Sequence, residues 1–312
     1  MKLYKKEIKT EDTLEGFYNY MPNNDYHADV THFSSSTLKM ILKKPEEFYT
    51  KYIKKEKVEQ EENTNFIFGS YVHSLILEPH LTDDEFAVYP GKVRRGEKYA
   101  EFVEANPGKE IVTQAEVDKA KLMMLDYERD PFASKLISDG QAEQSLFTEL
   151  DGVPIKVRSD YNFVDQYSGY IADVKTTGGA VDRKSLMRTI GNFDYDLSAA
   201  LYVDAFSKQL GMPFNFFFIF ISKNVNSDEP LCRVVKASEQ MLVNGRKKVK
   251  KALDLYKERK ESGIWIPEDA VAEIDDYYPG GEISEVFLFK SDLFHDEEAD
   301  DAELKELEND TK

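Results

Sequence analysis

Apolar residues recur along this chain with two different periods, and the switches between them predict its elements. Ser34-Ser35-Ser36 offers cap candidates ahead of Leu38, Met40, Ile41 and Leu42, whose spacing of three and four predicts a helix over about 36–43, stopped near Pro45. A second short helical stretch is expected from Pro45 to Ile53. In Phe66–Glu78 (FIFGSYVHSLILE), Val72, Leu75 and Ile76 make a helical stripe closed by Pro79. Gly69 and His73 stand four apart and share a face, where the glycine would admit another backbone and the imidazole would project beside it. Ala115–Tyr127 also reads as helix, with Thr113 as its cap. The period then becomes two. Gln144–Leu150, Val153–Tyr161 and Gly169–Thr176 alternate apolar and polar residues, and Asp151-Gly152 is a hairpin signal, so three antiparallel strands are expected. Helices over about 182–190 and 195–210, the second ended by Gly211 and Pro213, lead into the continuous apolar run Asn215–Ser222, which fits a buried strand. Ser238–Glu261 predicts a long amphipathic helix ended by Gly263. Residues 1–30 show no sustained periodicity and read as a loosely packed arm.

Composition bounds this picture. With 312 residues, 41% hydrophobic and 12% aromatic, the chain can bury a substantial core and is not disordered as a whole. The single cysteine, Cys232, has no internal disulfide partner, which fits a reducing, intracellular setting. The longest apolar run, Phe214–Ile221, is too short to span a bilayer, and the N-terminus is charged with no apolar stretch behind it, so a soluble cytoplasmic protein without a membrane partner is expected. The net charge of -18 argues against a surface that grips polyanions everywhere. About -8 of it lies in 291–312, where ten acids face Lys305 and Lys312, so three parts are expected: an arm (1–30), a domain (31–290) and an acidic tail (291–312) that reads as a disordered, solubilising extension. Two basic clusters stand out. Lys92, Arg94, Arg95 and Lys98 form a loop candidate for phosphate contact, whereas Arg246, Lys247, Lys248, Lys250 and Lys251 read first as a solvated helix face and second as a DNA track.

The chemistry concentrates in Asp160 and Asp173-Val174-Lys175. Residues two apart on a strand point to the same side, so Asp173 and Lys175 should converge with Asp160 from the neighbouring strand. Two carboxylates and an ammonium suit metal-assisted phosphodiester hydrolysis, in which carboxylate oxygens hold a hard cation and lysine attends the water. The plainer alternatives are solvated or lysine-paired carboxylates, a packed His73, a core Tyr202 in the stripe Leu197, Leu201, Tyr202, Ala205, and an Arg158 paired with Glu149 across the hairpin. His32, His80 and His295 carry no functional reading.

Together with Gly69–His73 and the opening Ser34–Lys39 followed by Pro45, these residues resemble the PD-(D/E)xK nucleases of the exonuclease VIII (RecE-like) group, related to the RecB nuclease domain and lambda exonuclease. The resemblance covers about residues 30–225. It implies an α/β, restriction-endonuclease-like core, a central mixed sheet flanked by helices. It also implies metal binding by His73, Asp160, Asp173 and the Val174 carbonyl, with Lys175 at the water and Glu143 and Arg158 near the scissile phosphate. The group has a glutamine four residues before a tyrosine on the following helix; Tyr202 matches, but Ser198 replaces the glutamine, leaving Tyr195 or Asp196 to share its work. By resemblance the protein is a Mg²⁺-dependent exonuclease, with Mn²⁺ as a substitute, that degrades one strand of linear duplex DNA from 5′ to 3′ and leaves tails for recombination or repair. A ring-shaped homo-oligomer, duplex DNA ends, a single-strand annealing protein and a phage-encoded origin are implied in the same way. The alternatives are a structure-specific or single-strand endonuclease, and a catalytically silent DNA-binding or DNA-mimicking module.

Overall fold

The computed structural model describes residues 2–3, 14–56, 64–226 and 231–265; the acidic segment 291–312, including His295, lies outside them. In chain order the first elements are Lys2–Leu3 (β1), Gly16–Asn19 (β2), Asn23–Ala28 (α1), Ser35–Lys43 (α2) and Pro45–Phe48 (α3), the last running into a wider π turn over Tyr49–Ile53. Next come Thr64–Leu77 (α4), Thr82–Glu85 (α5), Phe86–Tyr89 (β3), Glu97–Ala105 (α6), Glu110–Thr113 (β4), Gln114–Arg129 (α7) and Pro131–Leu136 (α8). The second half holds Gln141–Leu150 (β5), Val153–Val164 (β6), Gly169–Thr177 (β7), Arg183–Asn192 (α9), Tyr195–Leu210 (α10), Phe214–Ser222 (β8), Cys232–Lys236 (β9) and Glu239–Ser262 (α11).

Local chemistry explains the boundaries. Ser34 caps α2 by accepting from the Thr37 N–H, Thr113 and Glu116 form a reciprocal capping box on α7, and Gly211 and Gly263 end α10 and α11 in the left-handed conformation. The β5–β6 hairpin turns on Asp151 (φ 49°) and Gly152 (φ 76°), as the dipeptide predicts.

The main sheet runs β1-β2-β5-β6-β7-β8-β9. Its pairs are antiparallel except β1 with β2 and β7 with β8, so the expected mixed sheet is present. β8 divides the interior: Phe214, Phe216, Phe218 and Phe220 pack with α2, α10 and α11, while Ile219 and Ile221 pack with α4, α7 and α8. A helical layer thus covers each face. β3 and β4 form a separate parallel pair. Among the described residues no helix is long and apolar enough to cross a membrane.

One expectation needs correction and a second is narrowed. Within the supposed loose arm, β2 pairs with β5, Met21 and Tyr26 are buried, and Lys156 donates to the carbonyls of Tyr26 (2.7 Å) and Asp29. Cations on a distant strand fix this segment, so local periodicity could not reveal it. The basic stretch 92–98 runs from a turn into α6, and Arg94 is committed to the Glu116 carboxylate (3.0 and 2.6 Å) and the Ile111 carbonyl.

Candidate active site

The site lies where the β6–β7 ladder opens. Its last backbone pair is Tyr161 with Ala172; one step further Asp160 and Asp173 face each other without ladder bonds, although β6 itself runs unbroken from Val153 to Val164. The ladder donor is used differently here, because the Val174 N–H donates to Asp160 Oδ2 at 2.7 Å. The same oxygen lies 2.7 Å from His73 Nε2, projected from α4. Glu143 Oε1 stands 3.4 Å from the other imidazole nitrogen. Glu143 interrupts the β5–β6 ladder between Ala142–Tyr161 and Gln144–Ser159, and its φ of 47° is a left-handed conformation that a non-glycine residue adopts at some cost. Gly69, one turn before His73, faces a side chain rather than a backbone: an added Cβ would sit 3.4 Å from Thr176 Oγ1.

Asp173 holds Lys175. The Lys175 ammonium donates to Asp173 Oδ1 at 2.7 Å and lies 4.0 Å from Asp160 Oδ2. Asp173 Oδ2 is also 2.7 Å from the ammonium, but it is buried and lacks a partner of hydrogen-bond geometry. Tyr195 places its ring centre 5.7 Å from the same ammonium.

These environments move the titrations apart. Burial raises Asp173 to about 6, with the Asp160 charge adding to the rise and Lys175 opposing it. Burial likewise lifts Glu143 to about 7. For Asp160, burial is outweighed by His73, Lys175 and the Val174 N–H, which hold it down at about 2. Burial pulls the His73 imidazole down, but Asp160 and Glu143 prevail and carry it up to about 9. Lys175 is raised well above its ordinary value, its two aspartates overcoming burial.

His73, Glu143 and Asp160 each offer a ligand atom, all within 4.8 Å of one another. One imidazole nitrogen and two carboxylate oxygens, near the buried Asp173 Oδ2, form a donor set that fits a divalent cation. Glu143 thus joins His73 and Asp160 of the expected donors, while Asp173 is paired with Lys175.

Two further expected residues take other positions. Arg158 lies opposite Ser145, not Glu149; it donates to Ser145 Oγ (2.8 Å), the Met21 carbonyl (2.9 Å) and Asn23 Oδ1 (3.3 Å), and stacks 4.3 Å over Tyr26. Its side chain therefore pins the N-terminal segment beside the site, and its charge still reaches Glu143. Tyr202 is packed yet senses the site: its ring meets Phe216 edge-on, while its hydroxyl is raised by burial and by the charges of Asp173 and Asp160. Asp196 pairs with Lys248 at 2.9 Å and is structural. His32 is buried against Asp29, and His80 is exposed, as the plain readings expect. Lys39 escapes sequence reasoning because nothing in its helix marks it. Its ammonium donates to the Phe193 carbonyl at 2.7 Å, sits 5.4 Å from the Tyr195 ring centre, and is lowered to about 8 by burial.

Comparison with known proteins agrees with this fold. A solved protein from Eubacterium rectale, named "Putative exonuclease", superposes with a TM-score of 0.56 at 19% identity, covering 86% of this chain and 97% of its own. A second, SSO0001, reaches only 0.25 at 13% identity, covering 69% of this chain and 86% of its own, and bears no weight. No curated protein matches the chain. The family described as PDDEXK-like domain of unknown function (DUF3799) matches residues 34–269, and with the ladder opening at Asp160 and Asp173 ahead of Lys175, the chain belongs to that PDDEXK-like family.

Proposed function

We propose that this protein is a divalent-metal-dependent deoxyribonuclease, an exonuclease that degrades one strand of linear duplex DNA from 5′ to 3′ and leaves single-stranded tails for recombination or repair. The observation that carries the reading is the convergence of His73, Glu143 and Asp160 within ligand distance of one cation, beside the Asp173–Lys175 pair. Family membership and the name of the Eubacterium rectale relative support it.

A bound Mg²⁺, with Mn²⁺ as a substitute, would neutralise charge on the scissile phosphate and acidify the attacking water. His73, Glu143 and Asp160 would hold it, with Asp173 Oδ2 and the Val174 carbonyl at its edge. Lys175, raised by its aspartates, keeps its proton near neutrality and suits orienting the nucleophile and countering developing negative charge. Burial holds Glu143 up at about 7 in the metal-free protein, so a cation taking its oxygen would displace a proton near neutrality. Arg158, whose charge reaches Glu143, and Tyr202, which senses Asp173 and Asp160, would face the scissile phosphate. A ring of copies around the duplex and a single-strand annealing protein are the assembly this reading calls for.

The test is digestion of linear and covalently closed duplex DNA with Mg²⁺. Linear duplex should be degraded and the closed form spared, because an exonuclease requires an end. Asp160→Ala, Asp173→Ala and Lys175→Ala should each slow degradation at least about 100-fold. Untouched linear duplex would sink the nuclease reading; cutting of the closed circle would replace it with an endonuclease.

A further inference from the structure

The chain is acidic, yet α9 is not. Arg183–Asn192 (RKSLMRTIGN) contains three cations and no acid. Arg183, Lys184 and Arg188 are exposed, and among the described residues none has an ion pair. The neighbouring Asp182 carboxylate caps α9, accepting from the Lys184 and Ser185 N–H groups at 2.9 and 3.1 Å. The other basic helix contrasts sharply. On α11, Arg246 is held by Asp204 and Glu239, Lys248 by Asp194 and Asp196, and Lys250 by Asp254. Those charges are spent on structure, and the charges of α9 are not.

α9 also leads to the site through rings. Phe193, just beyond its C-terminus, is 59% exposed and stacks on Tyr195 at 5.5 Å and 19°. Tyr195 in turn lies beneath the Lys175 ammonium. The Phe193 carbonyl is tied to Lys39, so the ring is presented from a fixed backbone. A solvent-facing ring that leads to the site, at the end of a helix with three unpaired cations, matches the two components of single-strand recognition: base stacking and backbone neutralisation.

We propose that α9 and Phe193 form a track for a single strand of nucleic acid running to the site, with a base stacked on Phe193 and phosphates on Arg183, Lys184 and Arg188. This rests on the nuclease reading above. A duplex interior offers phosphates but no free base face, so the exposed ring selects the unpaired strand.

The experiment measures binding of a fluorescein-labelled oligothymidylate to the full-length protein in EDTA, across a salt series. Phe193→Ala should weaken binding about tenfold, with Phe193→Leu behaving alike because it keeps apolar area but loses the ring. Together Arg183→Gln, Lys184→Gln and Arg188→Gln should make the slope of log affinity against log salt shallower by about 2. Lys250→Gln, which removes a paired cation of α11, should change neither. All these positions are exposed, and melting curves verify folding. Unchanged affinity and slope in the folded variants would overturn the track. Equal weakening for blunt duplex would overturn its selection of a single strand. Mg²⁺-dependent cleavage of linear duplex by the unsubstituted protein separates the two readings: if it is absent while the α9 variants bind weakly, the nuclease reading fails and the track stands, and if it is present while the α9 variants bind normally, only the track fails.

Discussion

Asp160 and Asp173 carry the same carboxyl group on adjacent strands, yet their surroundings drive them in opposite directions. Asp160 accepts from His73 and Val174 and stays ionised; Asp173 is buried beside that charge and resists ionisation. The consequence for stability follows from the sign of each shift. Asp173 and Glu143 have raised values in the folded state, so the stability they contribute is present below 3.8 and 4.5 and is lost as pH rises through about 6 and about 7. His73, also raised, contributes below 6.5 and loses its contribution as pH rises through about 9. Asp160 is lowered, so its contribution is present above 3.8 and lost only as pH falls through about 2. Between pH 4.5 and about 8 these changes run the same way, with Lys39, lowered to about 8, opposing them only above that, and metal-free protein should lose on the order of a few kcal/mol across the window. Urea midpoints in EDTA at pH 5 and pH 8.5 check this. Asp173→Asn and Glu143→Gln should each flatten the lower part of the slope, and a metal-free protein most stable at pH 8.5 would refute the charge assignment. The same groups compete with a cation for protons, so Ca²⁺ should raise the melting temperature more at pH 8.5 than at pH 6.

At the scale of elements, the crossing of α10 and α11 is closer than either helix's sequence suggests. A Cβ at Gly245 would lie 2.0 Å from the Asp196 carbonyl oxygen and 2.7 Å from Ala200 Cβ. The Lys43, Asp194, Lys248 and Asp196 ion network closes the same junction, with Lys43 and Lys248 at 2.5 and 2.8 Å from Asp194. Gly245→Ala gains up to about 1 kcal/mol of helix propensity but must push two backbones apart, which costs about 1–3 kcal/mol. A lower melting temperature is expected, by thermal unfolding at constant metal and pH; a higher one would show that the helices separate freely. Gly245 was invisible in sequence because a glycine inside a basic helix looks like an ordinary defect. The strands were far more legible. Asp151-Gly152 set the hairpin and the unbroken Phe and Ile run of β8 reported burial on both faces, because these signals are local. β2 and α1 lie against remote partners such as β5, Lys156 and Arg158, and β3 pairs with β4 more than twenty residues away, so no window of sequence contains their cause. The site shows the same division. Asp173 and Lys175 were placed together by strand period alone, whereas the joining of His73 to Asp160 across 87 residues, and the inward turn of Glu143 at positive φ, depend on the assembled sheet.

The whole molecule presents an electrostatic problem for any reading that involves DNA: a net charge of -18 must meet a polyanion. Arg246, Lys248 and Lys250 of α11 do little to relieve it, since acids of the same fold hold them, whereas the three cations of α9 are unpaired. Encounter should therefore depend on where the negative charge lies as much as on its total. About -8 belongs to 291–312, a segment beyond the family match at 34–269. At an ionic strength near 0.01 M the Debye length is about 30 Å and such a segment repels incoming DNA from a distance; near 0.15 M it shrinks to about 8 Å and the effect fades. Removing 291–312 should then speed the association of linear duplex several-fold at low salt and leave it nearly unchanged at physiological salt. Melting curves and the Mg²⁺-dependent turnover of saturating DNA should match the full-length chain, because the site residues lie within 34–269. Stopped-flow association with labelled duplex at the two ionic strengths decides it. An equal acceleration at both would mean that 291–312 occupies the binding surface by contact, and no acceleration at either would mean that its charge does not reach the path of the incoming DNA.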